Sequence, residues 1–195
     1  MSGSSLRLFF VRHGETSWNR EGRLQGQHDI PLNDLGRAQA EEAGRRLVTL
    51  TDPKQVPWHV SPLSRTVETA QLARREIGLP DDDFLRDDRL KELAFGRWEG
   101  LTWKEVRQSD PQRAAQREKD KWLTVPPEGE SYQLLSQRLA PWLASVSGDL
   151  VVVAHGGVAR VLLHDVAGVA PHEAAEIDIW QGRVLVLEKG RYEWV

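Results

Sequence analysis

The sequence of 195 residues contains no cysteine, a single methionine and no surplus of basic over acidic residues. The absence of cysteine excludes disulfides, thiolate catalysis and zinc sites built on cysteine. The formal net charge is −3, whereas nucleic-acid-binding domains carry a basic surplus, so we expect no nucleic-acid partner. Any chemistry must therefore use side chains other than cysteine.

Long apolar runs are also missing. No segment reaches the roughly 18 apolar residues that a membrane-spanning helix needs. The apolar run within the first ten residues is too short for a signal peptide. We therefore expect a cytoplasmic protein without a membrane partner. The sequence also lacks internal repeats, low-complexity tracts and linkers, which predicts a single domain over residues 1–195.

The hydrophobic pattern predicts strands that alternate with helices. Predicted strands occupy residues 6–11, 56–60, 149–154 and segments of 177–195, which are joined at Gln181–Gly182 and Lys189–Gly190. Predicted helices occupy residues 35–50, with Asn33 as the N-cap, and 63–77, 101–121 with a break at Pro111, 134–146 and 158–166. This alternation indicates an α/β fold with helices on both faces of the sheet.

Two of the predicted strands, in FFVRHG and VVVAHG, end on a histidine. Ligands of α/β sheets bind at the carboxyl ends of the strands. If the two strands are neighbours, His13 and His155 meet in one crevice. Arg12 beside His13 disfavours the imidazolium form, because the two charges would repel, and a neutral imidazole is a nucleophile.

Arginines and a carboxylic acid complete the candidate site. Arg12 and Arg65, the latter behind the second strand, offer several donors to an oxyanion, which suits a phosphoryl group better than a carboxylate. His13 could attack phosphorus in line and form a phosphohistidine. Glu92 could protonate the leaving alkoxide and then, as a carboxylate, activate water. Neither step requires a metal or another cofactor.

Five motifs carry a resemblance to a known family. In chain order they are RHGETSWN, GRLQGQHDIPLNDLGRAQA, SPLSRTVETA, LKELAFGRWEG and VVVAHGG. This ordered set resembles the histidine phosphatase superfamily, also called phosphoglycerate mutase-like. The resemblance implies a three-layer α/β/α sandwich with a mostly parallel central sheet.

The resemblance also implies roles for individual residues. His13 would be the phosphorylated nucleophile and Glu92 the proton donor, with Arg12, Arg65 and His155 as the phosphate pocket. The same matching implies substrate contacts for the residues Asn19, Gln25 and, from the turn PEGES, Ser131.

Some features leave alternatives open. Thr66 and Glu68 depart from the family pattern, and Glu68 would weaken anion binding if it turned inward. Glu99 could be structural or line the substrate. The tryptophans around residues 98–122 could belong to the core or wall the site. A zinc site with His28 is disfavoured, because adjacent arginines repel a dication. An exposed edge strand at residues 191–195 could support a homodimer.

Three functions are compatible with this reading. The first is a histidine acid-type phosphatase, a phosphomonoesterase acting on a small phosphorylated substrate. The second is a cofactor-dependent phosphoglycerate mutase, although the segment between Glu92 and His155 is short, as in the alpha-ribazole phosphatase and broad-specificity phosphatase branch. The third is a catalytically silent member that binds phosphorylated ligands.

Overall fold

The computed structural model describes residues 6–195 and contains one six-stranded sheet. The strands are β1 (Arg7–Arg12), β2 (Trp58–Val60), β3 (Leu85–Arg86), β4 (Asp149–Ala154), β5 (Val184–Glu188) and β6 (Arg191–Trp194). Their order is β3-β2-β4-β1-β5-β6, in which β3, β2, β4 and β1 are mutually parallel and β5 runs antiparallel to β1. The predicted mostly parallel sheet is therefore confirmed.

Eight α-helices accompany the sheet within the described residues. They are α1 (Ser17–Arg20), α2 (Asp34–Leu50), α3 (Ser64–Glu76), α4 (Trp103–Ser109), α5 (Pro111–Lys119), α6 (Tyr132–Ser145), α7 (Gly156–Asp165) and α8 (Pro171–Ala174). The predicted break at Pro111 separates α4 from α5, and the predicted N-cap Asn33 accepts a hydrogen bond from the backbone N–H of Gly36.

Alternation along β1 divides the core into two layers. Leu8 and Phe10 pack with α6 and α7 on one face of the sheet, whereas Phe9 and Val11 pack with α2 and α3 on the other. Successive side chains of a strand point to opposite faces, so a fully apolar strand needs cover on both. This arrangement confirms the α/β/α sandwich.

The predicted strand at residues 177–180 is wrong. In place of a ladder, the backbone carbonyls of Ile177 and Ile179 accept hydrogen bonds from the guanidinium groups of Arg160 and Arg12. Only Gln181 forms an isolated bridge to β1. These two carbonyls therefore bond to arginine side chains and not to the backbone of a neighbouring strand.

Two other features bear on the predictions. Strand β3 has only two residues, both exposed, so no hydrophobic pattern marks it. Within the described part of the chain, no helix combines the length and the apolarity needed to cross a membrane. Residues 1–5 lie outside the described residues. The prediction of one domain over residues 1–195 and the prediction that there is no signal peptide both include these five residues.

Candidate active site

The two candidate histidines meet at the carboxyl edge of the sheet. Strands β1 and β4 are parallel neighbours, and their register pairs Arg12 with Ala154. A histidine directly follows each strand, His13 after β1 and His155 after β4. The backbone N–H of His13 donates to the carbonyl of Ala154 at 3.0 Å. The ring centroids of His13 and His155 lie 5.2 Å apart in an edge-on arrangement.

His13 is held as a neutral imidazole. Its Nδ1 lies 2.7 Å from the carbonyl oxygen of Gly14, which can only accept, so Nδ1 carries the proton and Nε2 keeps a free lone pair. Burial lowers the pKa of His13 well below its usual value, and the charges of Arg65 and Arg12 lower it further. The ring lines a cavity of about 150 Å³.

The glycine of the RHG motif permits a close backbone contact. A Cβ atom on Gly14 would lie 2.0 Å from the carbonyl oxygen of Gly36, in the first turn of α2. Any larger residue would push the loop after β1 away from α2. Gly14 therefore fixes the position of the carbonyl that orients the His13 ring.

Two arginines, the buried Arg65 and the partly buried Arg12, line the same cavity. Arg12 donates from one terminal nitrogen to the carbonyl of Ile179 at 2.7 Å, and Arg65 donates to the carbonyls of His28 and Gly26 at 2.7 and 2.9 Å. Burial lowers the pKa of Arg12 to about 10, and the neighbouring cations Arg160 and Arg65 add to this effect. Burial also lowers the pKa of Arg65.

The Nε atoms of both arginines are buried and have no hydrogen-bond partner in the described part of the protein. A buried charged donor without a partner is costly. An oxyanion bound in the cavity would provide both acceptors and countercharge. The two side chains are therefore organised as an anion site.

His155 adds a third unpartnered donor group. Its Nε2 lies 2.7 Å from the hydroxyl of Ser61, while its Nδ1 is buried without a partner among residues 6–195. Burial and the charge of Arg65 lower the pKa of His155 well below its usual value, so the ring is neutral. If the Ser61 hydroxyl donates to Nε2, then Nδ1 carries the proton and can donate to an anion.

Glu92 lies at the amino terminus of α7, which begins directly after His155. Its carboxylate accepts hydrogen bonds from the backbone N–H groups of Gly157, at 3.0 Å, and Leu93, at 2.8 Å. A Cβ atom on Gly157 would lie 2.4 Å from the carboxylate oxygen. Gly157, the second glycine of the HGG motif, therefore leaves space for the Glu92 carboxylate. Glu92 and His13 both line the cavity.

Asn19 and Gln25 also line the cavity. The side-chain oxygen of Asn19 accepts from the backbone N–H of Thr16 at 3.1 Å and from Gln181 at 3.3 Å. These bonds orient the amide and leave its nitrogen available to a ligand. Gln181 also donates to the carbonyl of His13 at 3.0 Å, so it braces two residues of the site.

The structure does not bring Ser131 into the cavity. Its buried hydroxyl caps helix α6 by accepting a hydrogen bond from the backbone N–H of Leu134 at 3.2 Å. The adjacent residue, Tyr132, lines the cavity instead. The serine of this turn therefore begins a helix, while the tyrosine that follows it lines the cavity.

Glu99 and Glu68 have structural partners. The Glu99 carboxylate accepts from the backbone N–H groups of Phe95 and Gln27, at 3.0 and 3.2 Å, and lies 3.3 Å from His28 Nε2. It thus fastens the loop that carries Gln25. Glu68 forms an ion pair with Arg37 at 2.8 Å and is not among the residues that line the cavity.

The tryptophans around the site belong to the core. Trp98 and Trp122 are buried in two separate hydrophobic clusters. Trp103 packs against the cluster that contains Trp98. The apolar wall of the cavity consists of Leu24, Leu93, Phe95 and Tyr132.

Two cavity arginines, Arg23 and Arg160, were not predicted from the sequence. A signal for Arg160 exists, because it stands four residues after Gly156 and so shares the helical face of α7 that meets the cavity.

Comparison with known proteins agrees with this geometry. The family model of the histidine phosphatase superfamily (branch 1) matches residues 8–195. The chain therefore belongs to the histidine phosphatase superfamily, as its motifs indicate.

Two relatives come from Arabidopsis thaliana. The sequence is 37% identical to phosphoglycerate mutase-like protein 4 over 164 residues, which span 80% of this chain and 68% of that protein. It is 35% identical to a metal-independent phosphoserine phosphatase over 161 residues, spanning 80% of this chain and 66% of that protein. The alpha-ribazole phosphatase of Shigella flexneri has a similar structure, with a TM-score of 0.79 and 26% identity over 92% of this chain and 89% of that one.

The buried histidines make stability depend on pH. The unfolded chain takes up protons below about pH 6.5, the ordinary pKa of histidine, whereas the lowered pKa values keep His13 and His155 neutral in the folded state. The free energy of unfolding should therefore fall as pH drops below about 6.5, with a slope of up to about 1.4 kcal/mol per pH unit for each histidine. Urea unfolding followed by tryptophan fluorescence between about pH 7.5 and 5.5 measures this slope.

His13→Asn should reduce the slope of unfolding free energy against pH by up to the contribution of one histidine, about 1.4 kcal/mol per pH unit. His172→Asn is the matched control, because solvent surrounds most of the His172 ring in the folded state, and it should leave the slope unchanged. An unchanged slope in His13→Asn would show that the ring is not held neutral.

Proposed function

We propose that the protein is a metal-independent phosphomonoesterase that hydrolyses a small phosphorylated metabolite through a phosphohistidine. The observation that carries the proposal is the neutral imidazole of His13 in one cavity with Arg12 and Arg65, whose buried Nε atoms have no partner among residues 6–195. This combination supplies a nucleophile and a preorganised site for a phosphoryl group.

The first chemical step is transfer of the phosphoryl group to His13. The substrate phosphate occupies the donors of Arg12 and Arg65, which stabilise the charge on its equatorial oxygens. The lone pair of Nε2 attacks phosphorus, and the bond from phosphorus to the alcohol oxygen breaks. Glu92 gives its proton to that oxygen, so the product leaves as a neutral alcohol.

The second step restores the enzyme. Glu92, now a carboxylate, takes a proton from a water molecule that attacks phosphorus, and the bond from phosphorus to Nε2 breaks. Inorganic phosphate is released and His13 is again neutral. Two backbone N–H groups hold the Glu92 carboxylate, so the same group can serve both steps without rearrangement.

A phosphoglycerate mutase is the second candidate, because one relative is named a mutase-like protein. A mutase would return the phosphoryl group from His13 to another hydroxyl of the bound substrate. The short segment between Glu92 and His155 favours the phosphatase, since it provides little chain to cover the cavity and exclude water.

Phosphorus NMR distinguishes the two candidates. The protein is incubated with chelator, 3-phosphoglycerate and a priming trace of 2,3-bisphosphoglycerate, with a simple alkyl monoester in a parallel sample. We expect free phosphate without 2-phosphoglycerate, and we expect His13→Ala to abolish it while the exposed control His172→Ala retains it. Growth of 2-phosphoglycerate without free phosphate would establish the mutase, and activity that requires added zinc or magnesium would contradict metal independence.

The role of Glu92 predicts a dependence on the leaving group. Glu92→Gln should lower kcat/KM for an alkyl monoester by about 10²- to 10⁴-fold, because the alkoxide then leaves without a proton. For p-nitrophenyl phosphate the loss should be less than about tenfold, since nitrophenolate needs no proton to leave. Initial rates with both substrates give the two ratios.

Glu118→Gln, which alters a carboxylate on the exposed surface of α5, is the control and should leave both ratios near one. Equal losses for the alkyl and aryl substrates in Glu92→Gln would exclude Glu92 as the general acid.

A further inference from the structure

The cavity contains more positive charge than the binding of one phosphoryl group would require. Besides Arg12 and Arg65 it is lined by Arg23 and Arg160, against the single carboxylate of Glu92. Arg23 is largely neutralised, because its guanidinium lies 2.7 Å from Glu21 and 3.5 Å from Glu105. The charge that needs an explanation is therefore that of Arg160.

Arg160 has no countercharge within the described part of the chain. No carboxylate oxygen of the described residues lies within 4.0 Å of its guanidinium. Its Nε donates a hydrogen bond to the carbonyl of Ile177 at 3.0 Å. That bond fixes the side chain and leaves both terminal nitrogens to the cavity. The side chain is only partly exposed, so water does not fully replace a counterion.

The position of Arg160 is close to the phosphate donors but separate from them. A Cβ atom placed on Gly156 would lie 3.4 Å from a terminal nitrogen of Arg160 and 3.7 Å from Nε of Arg12. Both guanidinium groups therefore lie close to Gly156, in the first turn of α7. Their mutual repulsion contributes to the lowered pKa of Arg12, which a second anion would relieve.

Tyr132 adds a neutral donor on the same side of the site. It lines the cavity together with Arg12 and Arg160, and its hydroxyl has no protein hydrogen bond among residues 6–195. Its ring stacks on Trp122, with centroids 5.7 Å apart, which keeps it in place. A hydroxyl and a guanidinium beside a phosphate site form a donor pair suited to a second oxyanion.

We propose that Arg160 binds a carboxylate on the alcohol half of the substrate, so that the protein acts on small phosphorylated carboxylic acids in preference to neutral alcohol monoesters. This inference rests on the proposed phosphatase function. The cavity of about 150 Å³ suits a compact ligand, and a carboxylate is smaller than a second phosphoryl group. Because Arg12 and Arg160 both approach Gly156, a short carbon chain between the two anions suits the site.

A pair of substrates isolates the second anion. 3-Phosphoglycerate and glycerol 3-phosphate differ in having a carboxylate or a hydroxymethyl group at the same carbon. We expect kcat/KM of the unaltered protein to be about 10- to 100-fold higher for the acid, the range of one charge-assisted contact. This comparison requires no mutation, so it stands even if a variant fails to fold.

Variants then assign the preference to Arg160. Arg160→Gln should lower kcat/KM for 3-phosphoglycerate by about the same factor and change that for glycerol 3-phosphate less than about threefold. Arg160→Lys keeps the charge and should retain part of the preference. Arg191→Gln, which removes an exposed guanidinium on β6, is the control and should leave the preference unchanged.

Each contrary outcome overturns a distinct statement. Equal kcat/KM for the two substrates would refute the carboxylate subsite while leaving the phosphatase intact. Equal losses for both substrates in Arg160→Gln would show that Arg160 serves the transferred phosphoryl group. A higher kcat/KM for propane-1,3-diol bisphosphate than for 3-phosphoglycerate would refute the choice of a carboxylate. Failure to hydrolyse any monoester, p-nitrophenyl phosphate included, would refute the proposed function and this inference with it.

Discussion

The parallel pairing of β1 with β4 is the constraint on which the candidate site depends. Its register aligns Arg12 with Ala154, so the next residue of each strand, His13 and His155, reaches the same edge of the sheet. A slip of one residue would turn one histidine into the layer of helices beneath. Each face of the strands packs its own set of side chains against helices, and a slip would exchange these sets, so the packing of the core fixes the geometry of the site.

Burial of positive charge is the second constraint. The Nε atoms of Arg12 and Arg65 are buried and have no partner among residues 6–195. Burial lowers the pKa of His13 and of His155, and the charges of both arginines lower it further. The same feature that weakens proton binding by His13 preserves its lone pair, and it also creates a strong preference for an anion. The positive charge that would attract an anion therefore also helps to keep His13 neutral, in addition to the larger effect of burial.

Much of this arrangement follows from the sequence, because its signals are local. Histidines at the ends of two apolar strands predicted the shared crevice, and helical spacing predicted α2, α3, α6 and α7. The sequence could not show that two carbonyls of residues 177–180 accept hydrogen bonds from Arg12 and Arg160, because these arginines are distant in the chain. Nor could it show that Ser131 caps a helix while its neighbour Tyr132 lines the cavity, since the residues that form the rest of the cavity are distant in the chain.

The central claim is that His13 Nε2 carries the phosphoryl group during turnover, and trapping this intermediate tests it most directly. The protein is mixed briefly with a ³²P-labelled monoester, quenched in base, digested, and its peptides are mapped by mass spectrometry. The account predicts label that is stable in base, labile in acid and confined to the peptide containing His13, and no label in His13→Ala. Label on another residue, or rapid turnover with no phosphorylated protein, would contradict the account.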